Sequence, residues 1–184
     1  FAAFESAENP LIQAKSTLES AQSHYLFKYL KYLGANNILV ENNYFDRDFL
    51  SEVSAVYCKS AKGYPNVCKR VHFFSSEEIN RELFLKALAD GKDAMNTFKN
   101  SYLGFIVIRP ITNSPFGRTV LKWYPDKTPD VPRVTKPSRR YVSTVAGLEL
   151  SVIGLAWQQQ DSGVAACATI GIWSMLHSSA FDAR

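Results

Sequence analysis

The sequence predicts an α+β fold, with a helical N-terminal half and an antiparallel sheet in the second half. Apolar residues at helical spacing dominate the first hundred residues. From Tyr102 onwards, apolar runs rich in β-branched and aromatic residues take over, which is typical of strands. A last, almost wholly apolar helical pattern bears Cys167, and we expect it to be a buried helix that packs on the sheet. Helices segregated from an antiparallel sheet are typical of the α+β class.

Start and stop signals delimit the helices of the first half. Asn9-Pro10 is typical of an N-cap followed by the first helical residue, and Gly34 of a C-terminal stop. We therefore predict a first helix between these two signals. Ser75 with Glu78 three residues later is a capping-box pattern. It predicts a later helix that starts there and runs to Lys99, and a shorter helix is expected between the two.

The predicted strands are short apolar runs bounded by turn residues. They lie at residues 38–41, 67–74, 102–108, 116–124, 141–145 and 148–153. Ala146-Gly147 separates the last two strands as a turn, and prolines within residues 125–137 mark a long loop before them. We divide the chain into a mainly helical part, residues 1–100, and a part with the sheet and the cysteine-bearing helix, residues 101–184, within one compact unit.

Composition and charge argue against several classes of partner. The chain has 46% hydrophobic residues and a formal net charge of +4, which is too mild to imply nucleic acid. The sequence contains no apolar run of the roughly eighteen residues that a membrane span needs. It also lacks the Gly-rich loops that bind phosphate groups. We therefore expect no cofactor, no nucleic-acid partner and no membrane partner.

The three cysteines, Cys58, Cys68 and Cys167, are too few for a disulfide scaffold. This usage favours a reducing compartment, so we expect a cytoplasmic protein. A disulfide between Cys58 and Cys68, and a zinc site of these two with His72, stay open as alternatives. Neither spacing is a common metal signature. Structural thiols and no metal site are the preferred interpretation.

A polar run rich in glutamine precedes the last helix and carries the candidate site. We expect Cys167 in the first turn of that helix, where unpaired N–H groups and the helix dipole favour the thiolate. Gln160, seven positions upstream, has a side-chain amide that can donate to a developing oxyanion. Asp161, Ser162 and Gly163 lie between them and are expected to contact a substrate. A packing role for Cys167 stays open, because free cysteine is among the most buried residue types.

The pattern Gln-x-Ser-x-x-x-x-Cys-Ala at residues 160–168 resembles the nucleophile segment of papain-like cysteine peptidases. It also resembles the C39-like, bacteriocin-processing peptidases of that superfamily, an alignment that puts Ser162 at the nucleophile position. The resemblance covers residues 158–177 of the 184. It implies a hydrolase that cleaves a peptide or protein substrate through an acyl-enzyme on Cys167, with Gln160 in the oxyanion hole.

Such a hydrolase also needs a base, usually histidine, and papain-like enzymes place it well after the cysteine. His177 lies ten residues further along the predicted helix, which is about 15 Å from Cys167. His24 and His72 both precede the cysteine. We therefore expect the start of a peptidase-like domain that lacks its downstream histidine and aspartate half. A missing C-terminal segment or a partner chain would then supply the histidine.

Two further interpretations stay open. The chain can instead be a non-catalytic module that binds a protein or peptide, with Cys167 in the core, and a large exposed apolar patch would mark that function. Separately, Arg109 and Arg118 fall near the ends of predicted strands. There they can bind an anionic substrate or another chain, or they are solvated and cap a strand edge.

Overall fold

The computed structural model describes residues 2–6, 21–55, 63, 65–111, 114–123, 138–160 and 167–178. Within these residues, one antiparallel sheet of seven strands combines with five helices, which confirms the α+β class. The strands are β1 (Ala2–Ser6), β2 (Asn37–Tyr44), β3 (Cys68–Phe74), β4 (Tyr102–Ile108), β5 (Phe116–Lys122), β6 (Arg139–Val145) and β7 (Leu148–Trp157). The helices are α1 (Ala21–Tyr32), α2 (Arg47–Ala55), α3 (Arg81–Leu88), α4 (Lys92–Ser101) and α5 (Cys167–Ser178).

The sheet takes strands from both halves of the sequence. Its order is β1-β2-β3-β4-β5-β7-β6, and every neighbouring pair is antiparallel. The mainly helical first half contributes β1, β2 and β3, and of these the sequence predicts β2 and β3. The sheet is also curled, so that its edge strand β6 comes close to β3 and β4. Arg70 on β3 donates to the Thr144 carbonyl oxygen on β6 at 2.7 Å. The Tyr102 and Ser143 hydroxyls, on β4 and β6, lie 2.8 Å apart.

Both faces of the sheet are covered by helices. Along β4, Phe105 and Val107 belong to one apolar cluster, whereas Ile106 and Ile108 belong to another. This alternation follows from the two-residue period of a strand and explains why the run is apolar throughout. Residues of α3, α4 and α5 pack into the first cluster, and residues of α1 pack into the second. The sheet is thus the middle layer of the fold.

The predicted long helix over residues 75–99 is wrong at its start. Helix α3 begins at Arg81, because the Asn80 side chain caps it by accepting from the Leu83 N–H at 2.9 Å. The capping-box serine is engaged elsewhere. Both the N–H and the hydroxyl of Ser75 donate to the Ser101 carbonyl oxygen, at 2.9 and 3.3 Å. A local pattern predicted a cap that a contact with the end of α4 overrides.

The predicted helix is also interrupted, so that α3 and α4 form a helical hairpin. Asp90 takes a left-handed conformation with φ of +61°. The Gly91 N–H then donates to the Lys86 carbonyl at 3.0 Å, which is the bond that closes a Schellman motif at a helix end. A Cβ on Gly91 would lie 2.7 Å from that same carbonyl oxygen, so glycine is needed for this approach. The apolar residues keep a helical spacing across Gly91 in the sequence, but the chain changes direction there and the helix ends.

The other predicted elements agree with the structure where it describes them. β4 has the predicted bounds, and the remaining strands agree to within a few residues apart from β1, which the sequence did not predict. Gly34 has φ of +72° just after α1 and ends it as expected. The predicted helix start at Asn9-Pro10 and the proline-rich loop at residues 125–137 lie outside the described residues.

The burial predicted for the cysteine-bearing helix is wrong for α5 as described. Three of its large apolar side chains are largely exposed: Ile172 at 54%, Met175 at 69% and Leu176 at 49%. One side of α5 packs on the core through Trp173. An apolar helix is buried on all sides only if other parts of the protein cover every side of it. The composition of the helix does not show whether the element that covers its outer side belongs to the same chain. None of the described helices is long and apolar enough to cross a membrane.

Candidate functional site

Gln160, the predicted oxyanion donor, follows the end of β7, and its backbone is held in place. The Ser114 hydroxyl, in the loop between β4 and β5, donates to the Gln160 carbonyl oxygen at 3.0 Å. One residue earlier, the Gln159 N–H donates to the Phe116 carbonyl oxygen at 2.8 Å. The Phe116 N–H donates to the Gln159 side-chain oxygen at 3.3 Å. The glutamine segment therefore continues alongside β5 after β7 ends.

Arg109 fastens the same segment from the inside of the fold. Its side chain is only 3% exposed, and Nη1 donates to Glu52 of α2 at 2.8 Å. Nη2 donates to the carbonyl oxygens of Ser114 at 2.7 Å and of Gln159 at 3.0 Å. Gly117 leaves room for the arginine, because a Cβ there would lie 3.0 Å from Arg109 Cγ. Three segments that are distant in sequence meet at this guanidinium.

Arg118 is paired internally as well. Its Nη2 donates to Asp46 Oδ2 at 3.1 Å, and Asp46 is buried. The other oxygen of Asp46 accepts the N–H groups of Asp48 and Phe49, at 3.1 and 3.0 Å, and so caps α2. Both interpretations of the strand-end arginines therefore differ from the structure. Arg109 and Arg118 are ion-pair partners within the fold, rather than anion ligands or solvated edge residues.

Cys167, the predicted nucleophile, is the first described residue of α5. The helix is anchored near its other end, where the Tyr141 hydroxyl donates to the His177 carbonyl oxygen at 2.8 Å. The rings of Trp173 and His177 stack at 3.8 Å, and His177 Nε2 lies 3.8 Å from Asp48 Oδ2. These contacts fix the axis of α5 against the sheet and the start of α2.

The structure does not describe the other predicted site residues. Asp161, Ser162 and Gly163, the predicted substrate contacts, lie outside the described residues. The described polar contacts of the Gln160 backbone are with the β4–β5 loop. Gln160 is therefore held by the β4–β5 loop, and Cys167 is held as part of helix α5.

None of the three histidines is set up as a base for Cys167. His177 is on the same helix, ten residues or about 15 Å along the axis. His24 is exposed on α1, which packs on the sheet face opposite to α5. His72 is fully buried, with Nε2 on Glu41 and Nδ1 on Tyr102, each at 2.9 Å.

A buried polar network surrounds His72, and no pattern in the sequence predicted it. Glu41 Oε2 accepts hydrogen bonds from Arg70 Nε and from His72 Nε2. His72 Nδ1 bonds the Tyr102 hydroxyl, which bonds the Ser143 hydroxyl in turn. The network joins strands β2, β3, β4 and β6 across the curled sheet. A signal for it was present: Arg70 and His72 are two residues apart in an apolar strand and so share one face.

The direction of each bond in this network follows from charge. Burial disfavours the charge of Glu41, but the bonds from His72 and Arg70 outweigh it and hold the pKa of this carboxyl below its usual value. An ionised carboxylate only accepts, so His72 Nε2–H is the donor. Burial lowers the pKa of His72 against the opposing pull of Glu41, and Arg70 lowers it further. Neutral His72 therefore accepts at Nδ1 from Tyr102, and Tyr102 accepts from Ser143.

We expect this arrangement to make stability fall on acidification. The unfolded chain takes up a proton at His72 near its ordinary pKa of 6.5, whereas the folded chain resists it. The free energy of unfolding should therefore decrease below pH 6.5, by at most about 1.4 kcal/mol per pH unit for one proton. Urea denaturation of the wild type and of His72→Gln between pH 7 and pH 5 measures this difference in slope.

The comparison between variants isolates His72, together with Glu41 whose pKa the His72 bond lowers, from the other groups. Glu52 acts in the opposite sense, because burial raises its pKa despite the attraction of Arg109, so it favours the folded state as pH falls. Its contribution is common to both proteins and cancels. If the slope of His72→Gln equals that of the wild type over this range, the titration assigned to His72 is incorrect.

Cys68 and His72, two of the three residues in the metal site that was left open, are both buried in the fold. Cys68 is a free, buried thiol, and burial raises its pKa to about 12, which keeps it protonated. Both ring nitrogens of His72 are already engaged. Cys58 lies outside the described residues. Over the described ranges, no group of three or more metal-ligating side chains is found.

No protein-family model, curated protein or solved structure matches this chain.

Proposed function

We propose that the chain is a cysteine peptidase- or amidase-like hydrolase, with Cys167 as nucleophile and Gln160 as an oxyanion donor. The observation that carries this proposal is that the described part of α5 starts at Cys167, so that Cys167 lies towards the N-terminal end of this helix. The first N–H groups of a helix have no partner within it, and its dipole is positive at this end. Both effects stabilise a thiolate relative to a thiol and so lower the pKa of a cysteine placed there.

The proposed reaction is acyl transfer to the sulfur. The Cys167 thiolate attacks the carbonyl carbon of an amide or thioester, and the carbonyl oxygen becomes an oxyanion. The Gln160 amide and the Cys167 N–H donate to this oxyanion, each such donor being worth about 10²- to 10³-fold in rate. The leaving amine or thiol departs with a proton, and water then releases the acyl group. The substrate is a peptide or protein.

A histidine outside these 184 residues, on a further segment or on a partner chain, completes the proposed mechanism. The positions of the three histidines support this. His24 is exposed on the other face of the sheet, His72 is bonded within the core, and His177 lies too far along α5. The exposed apolar side chains of α5 supply a surface on which that segment or partner can pack. The cytoplasm, where thiols stay reduced, is the proposed compartment.

A second candidate function is a non-catalytic module that binds a protein or peptide. The specific observation in its favour is the row of exposed apolar side chains on α5, Ile172, Met175 and Leu176. Exposed apolar surface of this kind marks interaction sites in soluble proteins. In this interpretation Cys167 has no reactive role.

Alkylation by iodoacetamide across pH 5 to 9 distinguishes the two candidates. For a hydrolase, Cys167 in the folded protein should react with an apparent pKa well below the ordinary value of about 8.5. Mass spectrometry assigns the modified residue, and Cys167→Ser is the control. Cys68 serves as an internal reference, because a buried thiol should react only after denaturation. If Cys167 behaves like Cys68, the hydrolase proposal fails and the binding module is favoured.

A further inference from the structure

We infer that Arg109, Glu52 and Ser114 form a clamp that positions Gln160 as the oxyanion donor. This inference rests on the proposed function and extends it to three residues that the nucleophile pattern does not contain. Arg109 and Ser114 act on the backbone around Gln160, and Glu52 acts through Arg109. All three are positioning residues, because none of them acts on the substrate.

The clamp fixes both peptide groups that flank Gln160. The Gln159 carbonyl belongs to the peptide before Gln160 and accepts from Arg109 Nη2 at 3.0 Å. The Gln160 carbonyl belongs to the peptide after it and accepts from Ser114 Oγ at 3.0 Å. Peptide groups are planar, so fixing one on each side sets the φ and ψ angles of the residue between them. The direction of the Gln160 Cα–Cβ bond is thereby set as well.

The clamp is rigid because Arg109 and Ser114 are buried and its three members are bonded to one another through Arg109. Ser114 is 1% exposed, and its carbonyl oxygen accepts from Arg109 Nη2 at 2.7 Å. Glu52 holds the other arm of the guanidinium at 2.8 Å and orients its plane. In addition, the backbone N–H of Arg109 donates to the Pro115 carbonyl oxygen at 2.7 Å. Loop, helix α2 and glutamine segment are thus held by one planar cation.

Stability alone gives little reason to bury this arginine. Replacing a buried ion pair by apolar side chains of similar volume is often neutral or stabilising, because desolvation cancels the attraction. What an apolar side chain cannot do is donate to two carbonyl oxygens at defined positions. The clamp therefore contributes geometry at Gln160, where a displacement of about 1 Å can cost about 100-fold in rate.

Two reagents separate this positioning role from the reactivity of the thiol. In acetylation by p-nitrophenyl acetate, the Cys167 thiolate forms a bond to the carbonyl carbon, an oxyanion develops, and p-nitrophenolate leaves with the electron pair of its C–O bond. In alkylation by iodoacetamide, the thiolate displaces iodide from carbon and forms no oxyanion. Only the first reaction uses Gln160. Rates at Cys167 are read by mass spectrometry on the folded 184-residue protein.

We expect Ser114→Ala and Arg109→Met to slow acetylation of Cys167 about 10-fold and to change alkylation less than about twofold. Gln160→Ala should show the same selective loss, at about 100-fold. Arg70→Met is the matched control, because Arg70 is also a buried arginine bonded to a glutamate and to a backbone carbonyl. It should leave the ratio of the two rates at the wild-type value. Ser114→Ala removes a single hydroxyl, so it decides the question if Arg109→Met does not fold.

Failure of the clamp and failure of the proposed function give different results. If Cys167 reacts rapidly with both reagents and the clamp variants keep the wild-type ratio, the clamp is refuted while the nucleophile stands. If Arg70→Met shifts the ratio as much as Arg109→Met, the effect is general destabilisation and the clamp is likewise refuted. If Cys167 reacts with neither reagent in the folded wild type, the proposed function fails and the clamp fails with it.

Discussion

Gly104→Ala is expected to lower the free energy of unfolding by at least about 3 kcal/mol, or to prevent folding. Gly104 lies in the central strand β4 with φ of +118°, a conformation that L side chains rarely adopt. A Cβ at this position would lie 2.1 Å from the Val120 carbonyl oxygen and 2.9 Å from Leu121 Cα. Both contacts are with the backbone of β5, so no side-chain rotation relieves them. The substitution must separate two strands in the middle of the sheet.

Urea denaturation of two further glycine variants provides the controls. Gly154→Ala carries the clash without the unusual dihedral angle, since its Cβ would lie 2.2 Å from the Leu121 carbonyl oxygen. It should destabilise too, but less than Gly104→Ala. Gly171→Ala, in α5, has no atom within 4 Å of the added Cβ and should stabilise the helix by about 0.5–1 kcal/mol. A loss of less than about 1 kcal/mol for Gly104→Ala would contradict the strand packing described above.

Glu41→Ala is expected to cost about 3–5 kcal/mol, because it leaves buried polar groups without their acceptor. Arg70 and His72 both donate to the same oxygen of Glu41. Without it, the Arg70 charge remains in a site where its side chain is 9% exposed. The proton on His72 also loses its acceptor, and the bonds to Tyr102 and Ser143 that hold β6 against β4 weaken. The free energy of unfolding in urea at pH 7 measures the loss.

The matched control for this variant is Glu149→Ala. Glu149 is a strand glutamate like Glu41, but its side chain points to solvent on β7. Its removal should leave the free energy of unfolding nearly unchanged. Glu41→Gln keeps the shape and one acceptor oxygen and should fall between the two. Equal effects at Glu41 and Glu149 would show that the network contributes no net stability.

Most strands and the class of the fold could be read from the sequence, since their signals are local. The apolar run of β4 and the turn at Ala146-Gly147 depend only on neighbouring residues. The turn is found where it was predicted, with φ of +47° and +91° at its two residues. The single helix predicted from Ser75 shows the limit of local signals. Its cap was taken by Ser101, a partner 26 residues away.

For the candidate site, the sequence predicted the two candidate residues, Gln160 and Cys167, but not the residues that support them. Gln160 and Cys167 are seven residues apart, and a side-chain amide donor followed by a cysteine near a helix start can be recognised in the sequence alone. The supports cannot, because Arg109 meets Glu52 across 57 positions and Gln159 across 50. No short pattern encodes such pairs. Strand-end arginines that looked free for a ligand were instead used inside the fold.

By itself, the sequence determined the alternation of apolar residues, and so the α+β class, the central strand and the apolar character of α5. Only the tertiary structure decided which faces of these elements are covered. It set β6 against β3 and β4, placed the polar network of His72 between them, and left Ile172 and Met175 of α5 exposed. The physical reason is that periodicity specifies a face, whereas burial and ion pairing require a partner brought there by the rest of the chain.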